Sequence, residues 1–195
     1  MIGTEEFPAE RTTSESVDSI AFLHRALSKS SDAAVMEVSS HAVSLERLSG
    51  LEFDCGVFTN LTRDHLDFHG TIDEYLDAKG KFFAMLGSDG KKEAFAFVNA
   101  DDPSSVKIGS HVKHARLFTY GIEKDADIRG VDVEVSFQGA RFGVEYAGKV
   151  YPVTLKLHGA FNVYNALSAF CIGVAKGMEP DIIVEGLESV NAVPG

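Results

Sequence analysis

An α/β fold, a mostly parallel sheet flanked by helices with a small antiparallel β-meander, follows from three features of this sequence. Short apolar runs at residues 33–36, 55–58 and 94–98 have the length of buried strands. Segments with helical spacing separate them, as in crossover connections between parallel strands. Beyond Ile128 the period falls to two, which marks strands joined by tight turns.

The first helix is read from Thr12-Thr13-Ser14-Glu15-Ser16, hydroxyls suited to capping with Glu15 and Asp18 in the positive first turn. Val17, Ile20, Ala21, Phe22 and Leu27 give it one apolar face as far as Ser30. Ala33-Ala34-Val35-Met36 is the first strand, stopped by Glu37. Ser39 and Ser40 cap a helix through about Leu48, and Gly50 closes it. The strand at Cys55 completes a βαβ unit, so both strands should be parallel with a right-handed crossover. Glu37 and the loop from Asn60 to His69 would then share one edge of the sheet. The segment 72–83 is helical, residues 94–98 form a third strand, and Asn99-Ala100-Asp101-Asp102-Pro103 closes it. Short elements at 106–108 and 114–118 surround a further strand. Val131, Val133 and Val135, then Phe142, Val144 and Tyr146, then Val150, Val153, Leu155 and Leu157 make the meander, turning at Gln138-Gly139 and Gly148-Lys149. Residues 159–177 return to helical spacing, and Pro180 starts a last helix to Val190.

A chain of 195 residues with 45% hydrophobic content can bury one sizeable core, and a single domain is expected. The net charge of −11 argues against a general nucleic-acid surface, which needs clustered Lys and Arg. Both cysteines, Cys55 and Cys171, sit in apolar runs and read as buried thiols of a reducing compartment. No basic-then-apolar leader is evident, and no apolar run approaches about 18 residues. The sequence therefore reads as cytoplasmic, without nucleic-acid or membrane partners.

The stretch from Asp54 to Phe83 concentrates the chemistry: a strand end, a polar loop with His65, Asp67 and His69, and a helix bearing Lys79. His65 and His69 stand four apart and either hold a metal or hydrogen-bond their loop. Glu37 adds a carboxylate to that edge, a donor set that suits Mg²⁺ or Mn²⁺ better than zinc. Lys79 taken alone reads as a solvated helix charge, Arg47 as a helix C-terminal cation, and Thr12 and Thr13 as caps. No G-x-x-x-x-G-K-[ST] phosphate loop is present; residues 87–92 come nearest and lack its spacing.

Several blocks together change that balance: Glu37-Val38-Ser39-Ser40-His41, residues 58–70 (FTNLTRDHLDFHG), Asp77-Ala78-Lys79, Asn99-Ala100-Asp101-Asp102-Pro103 and residues 159–167 (GAFNVYNAL). They resemble the Mur ligases, in register from Ile2 to the end of the chain. The resemblance points to the members that add the third amino acid in peptidoglycan precursor synthesis. It implies the family's P-loop-like central ATP-binding domain and an ATP-dependent amide ligase. That reaction joins meso-diaminopimelate or L-lysine to UDP-N-acetylmuramoyl-L-Ala-D-Glu through an acyl phosphate. By the same resemblance Glu37 and His65 match Mg²⁺ ligands, and Lys79 matches a lysine that takes up CO₂ to become a metal-binding carbamate. Thr12, Thr13, Ser39 and Arg47 match residues that hold the UDP-muramoyl-dipeptide. Asn165 matches an adenine-contacting amide, with Asn60 also on the nucleotide side. ATP and Mg²⁺ are the implied cofactors.

Departures from the family pattern carry expectations too. The family's phosphate loop would precede Ile2, and its N-terminal uridine-binding and C-terminal amino-acid-binding domains lie outside residues 1–195. The chain by itself is expected to be inactive, as an incomplete central domain. Its sheet is expected to lack an interior strand and to self-associate through exposed edges. Two alternatives stay open: a non-catalytic muramoyl-peptide-binding domain, and a sister amide ligase of the folylpolyglutamate or cyanophycin synthetase type.

Overall fold

The computed structural model describes residues 1–7, 11–61, 71–88, 90 and 93–192. One six-stranded sheet runs in simple order: β1 (Cys55–Phe58), β2 (Phe95–Asn99), β3 (Arg116–Gly121), β4 (Ile128–Ser136), β5 (Gly139–Tyr146) and β6 (Lys149–Leu155). The pairs β1–β2, β2–β3 and β3–β4 are parallel; β4–β5 and β5–β6 are antiparallel. The expected class, with its appended meander, is what forms. Among the described residues six helices accompany the sheet: α1 (Ser16–Ser28), α2 (Ser40–Ser44), α3 (Ile72–Met85), α4 (Ser105–Ser110), α5 (Ala160–Ala175) and α6 (Pro180–Ser189).

Alternation along the strands creates two cores. On one face Phe97, Tyr120, Phe142, Val144 and Val153 pack against Val163, Leu167, Phe170 and Cys171 of α5 and Ile183 of α6. On the other, Phe58, Ala96 and Val98 meet Val43 of α2, Leu76, Phe82 and Phe83 of α3 and Ile108 of α4. Each fully buried side chain of this size contributes about 1.5–3 kcal/mol of apolar burial. Cys171 is buried and Cys55 partly so, and neither is in a disulfide; burial pushes the Cys171 thiol well above its usual range.

Helix α3 matters most to the site, and two glycines set its position. A Cβ on Gly56 of β1 would stand 2.8 Å from Leu86 Cδ1 and from Phe82 Cε1. A Cβ on Gly80 would collide with the His111 ring just after α4. Thr71 starts α3 with a reciprocal capping box to Glu74. Asp73 and Asp77 reach Lys107 at 3.0 and 2.9 Å, so α3 is held laterally as well.

Several expectations fail. Residues 33–36 form no strand, and Val35 is 96% exposed. An extended run becomes a strand only when a neighbour satisfies its backbone groups. Among the described residues β1 ends the sheet, so the expected βαβ unit with its crossover does not form. Helix α1 does form, but its phase is rotated: Val17 and Leu27 are 75% and 71% exposed, while Ala26 is buried. Of the expected face Phe22 is partly buried, in ring contact with Phe7, and exposed Arg25 and Lys29 pair with Glu5. Its N-cap is Glu15, and no hydroxyl of residues 12–16 caps it.

Candidate active site

Three backbone segments converge on one cavity of about 230 Å³, lined by residues 11–13, 37–41, Arg47, Tyr75 and Lys79. The segment before α1 is stitched to the segment before α2 through one residue. Thr13 is 2% exposed. Its Oγ1 donates to the Glu37 carbonyl at 2.9 Å and accepts the Ser39 N–H at 3.0 Å. Ser39 caps α2 by accepting the Ala42 N–H at 3.2 Å, as expected for that position. Glu46 turns the chain with a positive φ of 57° after α2, which brings Arg47 to the cavity. Arg47 Nε then lies 3.0 Å from Glu15 Oε1.

The third segment is α3. Tyr75 and Lys79 stand one turn apart on the same helical face, and the Lys79 ammonium lies 5.1 Å from the centre of the Tyr75 ring. Burial pushes the Lys79 amine below its ordinary range; the Glu37 and Asp102 carboxylates oppose that shift without reversing it. A larger fraction of neutral, nucleophilic amine follows.

The strand ends beside the cavity are tied by buried polar groups. Asn99 Nδ2 donates to the Thr59 carbonyl at 2.9 Å, and the Tyr120 hydroxyl donates to the Phe58 carbonyl at 3.0 Å. Asp102 accepts the N–H groups of Leu61 and Ser104, each at 2.7 Å. Asp101 accepts from the backbone N–H groups of Ile122 (2.7 Å), Glu123 (3.1 Å) and Lys124 (2.9 Å), and from the Tyr164 hydroxyl (2.9 Å). Partial burial pulls the Asp101 carboxyl up, yet these donors outweigh it and leave it below the usual carboxylate range. The same contact, after burial, holds the Tyr164 hydroxyl above its usual range.

Of the residues singled out in the sequence, Thr12, Thr13, Glu37, Ser39, Arg47 and Lys79 all line the cavity. Asn60 is exposed at the end of β1, outside it. Asn165 is exposed on α5, where its Nδ2 donates to Asn162 Oδ1 at 3.2 Å. The Tyr164–Asp101 contact brings that part of α5 to the sheet edge where β2 ends. His65, Asp67 and His69 lie outside the described residues. Among the described residues no group of three His, Cys, Asp or Glu side chains is placed to hold a metal. Sequence reasoning passed over Arg11, His41 and Tyr75 as cavity residues, and the anchoring role of Asp101. The i, i+4 spacing of Tyr75 and Lys79 was a usable signal for one of them.

Comparison with known proteins makes the class of this chain definite. The chain belongs to the Mur ligase family: the model of the Mur ligase middle domain matches residues 1–173. It is 42% identical to the UDP-N-acetylmuramoyl-L-alanyl-D-glutamate--2,6-diaminopimelate ligase of Bacillus velezensis, over all of this chain and 40% of that protein. It is 40% identical to the corresponding L-lysine ligase of Staphylococcus haemolyticus, over 94% of this chain and 37% of that protein. A solved structure of a UDP-N-acetylmuramoyl-L-alanyl-D-glutamate--2,6-diaminopimelate ligase superposes with a TM-score of 0.83 at 28% identity, covering 94% of this chain and 38% of that one. The chain thus spans about 40% of the length of the curated relatives it matches. No helix among the described residues is long and apolar enough to cross a membrane.

Proposed function

We propose that this chain acts as the central, ATP-using domain of a cytoplasmic amide ligase that extends UDP-N-acetylmuramoyl-L-Ala-D-Glu with a diamino acid. The observation that carries the reading is the convergence of Thr12, Thr13, Glu37, Ser39, Arg47 and Lys79 on one cavity. Relatives named for diaminopimelate and for lysine both match, so the reading covers either amine. Arg47, backed by the hydroxyls of Thr12 and Ser39, holds the peptide carboxylate, and Thr13, whose hydroxyl proton goes to the Glu37 carbonyl, fixes the two segments that line the dipeptide site. That carboxylate attacks the terminal phosphorus of ATP; ADP leaves and an acyl phosphate forms. The incoming amine then displaces phosphate and forms the amide bond. Asn60 and Asn165 serve the nucleotide side.

Lys79 prepares the site. Its neutral amine attacks the carbon of CO₂, a proton is released, and a carbamate replaces a cation with one negative charge shared by two oxygens. The donors fit Mg²⁺ on that condition. An ammonium beside Glu37 repels a cation, whereas Glu37 and carbamate oxygens form the hard oxygen set that Mg²⁺ prefers. Glu37 would hold one Mg²⁺ near the terminal phosphate, and His65 with Lys79 as carbamate would hold a second. Bound there, Mg²⁺ supplies neutralisation of charge on the transferring phosphoryl group. Self-association through the outer edge of β1 belongs to the same reading, because that strand has one partner among the described residues. A concentration-independent monomer in sedimentation would contradict that part.

The test of function is a chimera in which this chain replaces the matching segment of the Bacillus velezensis relative. With ATP, Mg²⁺, UDP-N-acetylmuramoyl-L-Ala-D-Glu and diaminopimelate or lysine, it should release phosphate and form tripeptide product. Lys79→Ala should abolish turnover while leaving dipeptide binding nearly intact. Wild-type turnover in that variant would remove Lys79 from the chemistry.

A further inference from the structure

Glu15 occupies the N-cap of α1, where a side chain ordinarily closes free N–H groups, yet it makes no capping bond. Its carboxylate serves two arginines instead: Oε1 takes Arg11 Nη1 and Arg47 Nε, the latter at 3.0 Å. The two partners of the longer contact differ in exposure. The Arg47 side chain is 14% exposed and that of Glu15 is 50% exposed. Arg11 and Arg47 both line the cavity.

A guanidinium meets a carboxylate either end-on, through its two terminal nitrogens, or side-on, through Nε and one of them. Glu15 makes neither two-bond contact: its Oε1 forms an ion pair at Nε alone, on the inner side of the guanidinium. The two Nη atoms have no acceptor among the described residues. Resting on the reading of this cavity as a peptide-carboxylate site, we propose that Glu15 is a positioning residue. It clamps Arg47 so that the Nη fork is presented end-on, and the site thereby selects a ligand carboxylate over the matching carboxamide. A carboxamide offers one acceptor and one donor to a fork of donors, so one of the two bonds is lost. Arg11 shares the same Glu15 oxygen, so one negative charge serves two positive ones and the cavity rim stays receptive to an anion.

The experiment is side-chain ¹⁵N NMR of the whole chain, with titration by N-acetyl-L-Ala-D-Glu and by the same peptide carrying a carboxamide in place of the side-chain carboxylate. In the free chain the Arg47 Hε should be protected from solvent exchange, and Glu15→Ala should abolish that protection. The acidic peptide should bind the wild-type chain about tenfold more tightly than the carboxamide, and Glu15→Ala should weaken its binding about tenfold and erase the preference. Glu15→Gln, which keeps an acceptor, should retain part of both. It also stands in if Glu15→Ala fails to give a folded circular dichroism spectrum. Unchanged affinity and preference in Glu15→Ala would reduce the contact to a structural tether and overturn the clamp, leaving the peptide reading intact. A wild-type chain with a protected Hε that binds neither peptide would overturn the peptide reading, and the selectivity with it.

Discussion

The half of the molecule made by β4–β6, α5 and α6 and the half that carries the cavity are held by different forces. In the first, Val144, Val163, Leu167 and Phe170 are all fully buried, and long antiparallel ladders satisfy the backbone. In the second, α2 and α3 pack on a smaller apolar core, but Val17, Leu27 and Val35 face solvent, residues 33–36 have no ladder, and single polar side chains join the segments at 11–13 and 37–41. Apolar burial is non-directional and tolerates small shifts, whereas a hydroxyl bridging two backbone groups fixes one geometry. The scaffold half thus provides stability, and the cavity half provides placement.

That contrast sets a ranking of substitutions. Phe170→Ala removes a fully buried ring and should cost about 3–5 kcal/mol in denaturant unfolding. Retention of wild-type stability would deny that this half carries the fold. Asp101→Asn tests the hinge between the halves. At neutral pH it should cost about 2–3 kcal/mol, because charge-assisted bonds to three backbone N–H groups and Tyr164 are weakened. The Asp101 carboxyl is held below its ordinary value, so its contribution is fully present above the unfolded carboxylate pKa of about 3.9. The contribution is lost as pH falls through the folded value. The deficit of the variant should therefore shrink as stability is measured at progressively lower pH below about 4. A deficit independent of pH would assign the loss to packing.

Gly80→Ala sets two effects against each other. Helix propensity favours alanine by about 1 kcal/mol, and overpacking against the His111 ring costs about 1–3 kcal/mol. The steric term should win, for a net loss of about 1 kcal/mol, and His111→Ala should reverse its sign. The smallest effect belongs to Lys79→Met, which should stabilise. Burial lowers the folded pKa of Lys79, so below that value the charged amine opposes folding. The penalty is relieved as pH rises from the folded pKa toward the unfolded one, about 10.4. The variant's advantage should be greatest at neutral pH and fade in alkali.

The scaffold half was largely legible in the sequence because alternation and helical spacing record burial directly. The meander, α3 and α5 form close to where those patterns place them. Residues 33–36 misled because an apolar run reports a preference for burial and carries no information on whether a partner strand stands beside it. Glu37 still meets Lys79 across the cavity, and what holds it is Thr13, through bonds 24 and 26 positions apart in sequence. Such contacts leave no periodic trace. Tyr75 could have been found from its spacing to Lys79, whereas the four donors on Asp101 come from a loop and a helix that only the fold assembles.

The central claim is that the Lys79 amine is placed for conversion to an anionic ligand. Equilibrating the chain with [¹³C]bicarbonate and recording ¹³C NMR tests it without turnover. The account predicts one carbamate resonance that is absent from Lys79→Ala and fades as pH is lowered and the amine protonates. A spectrum with no carbamate, or one that Lys79→Ala leaves unchanged, would contradict it.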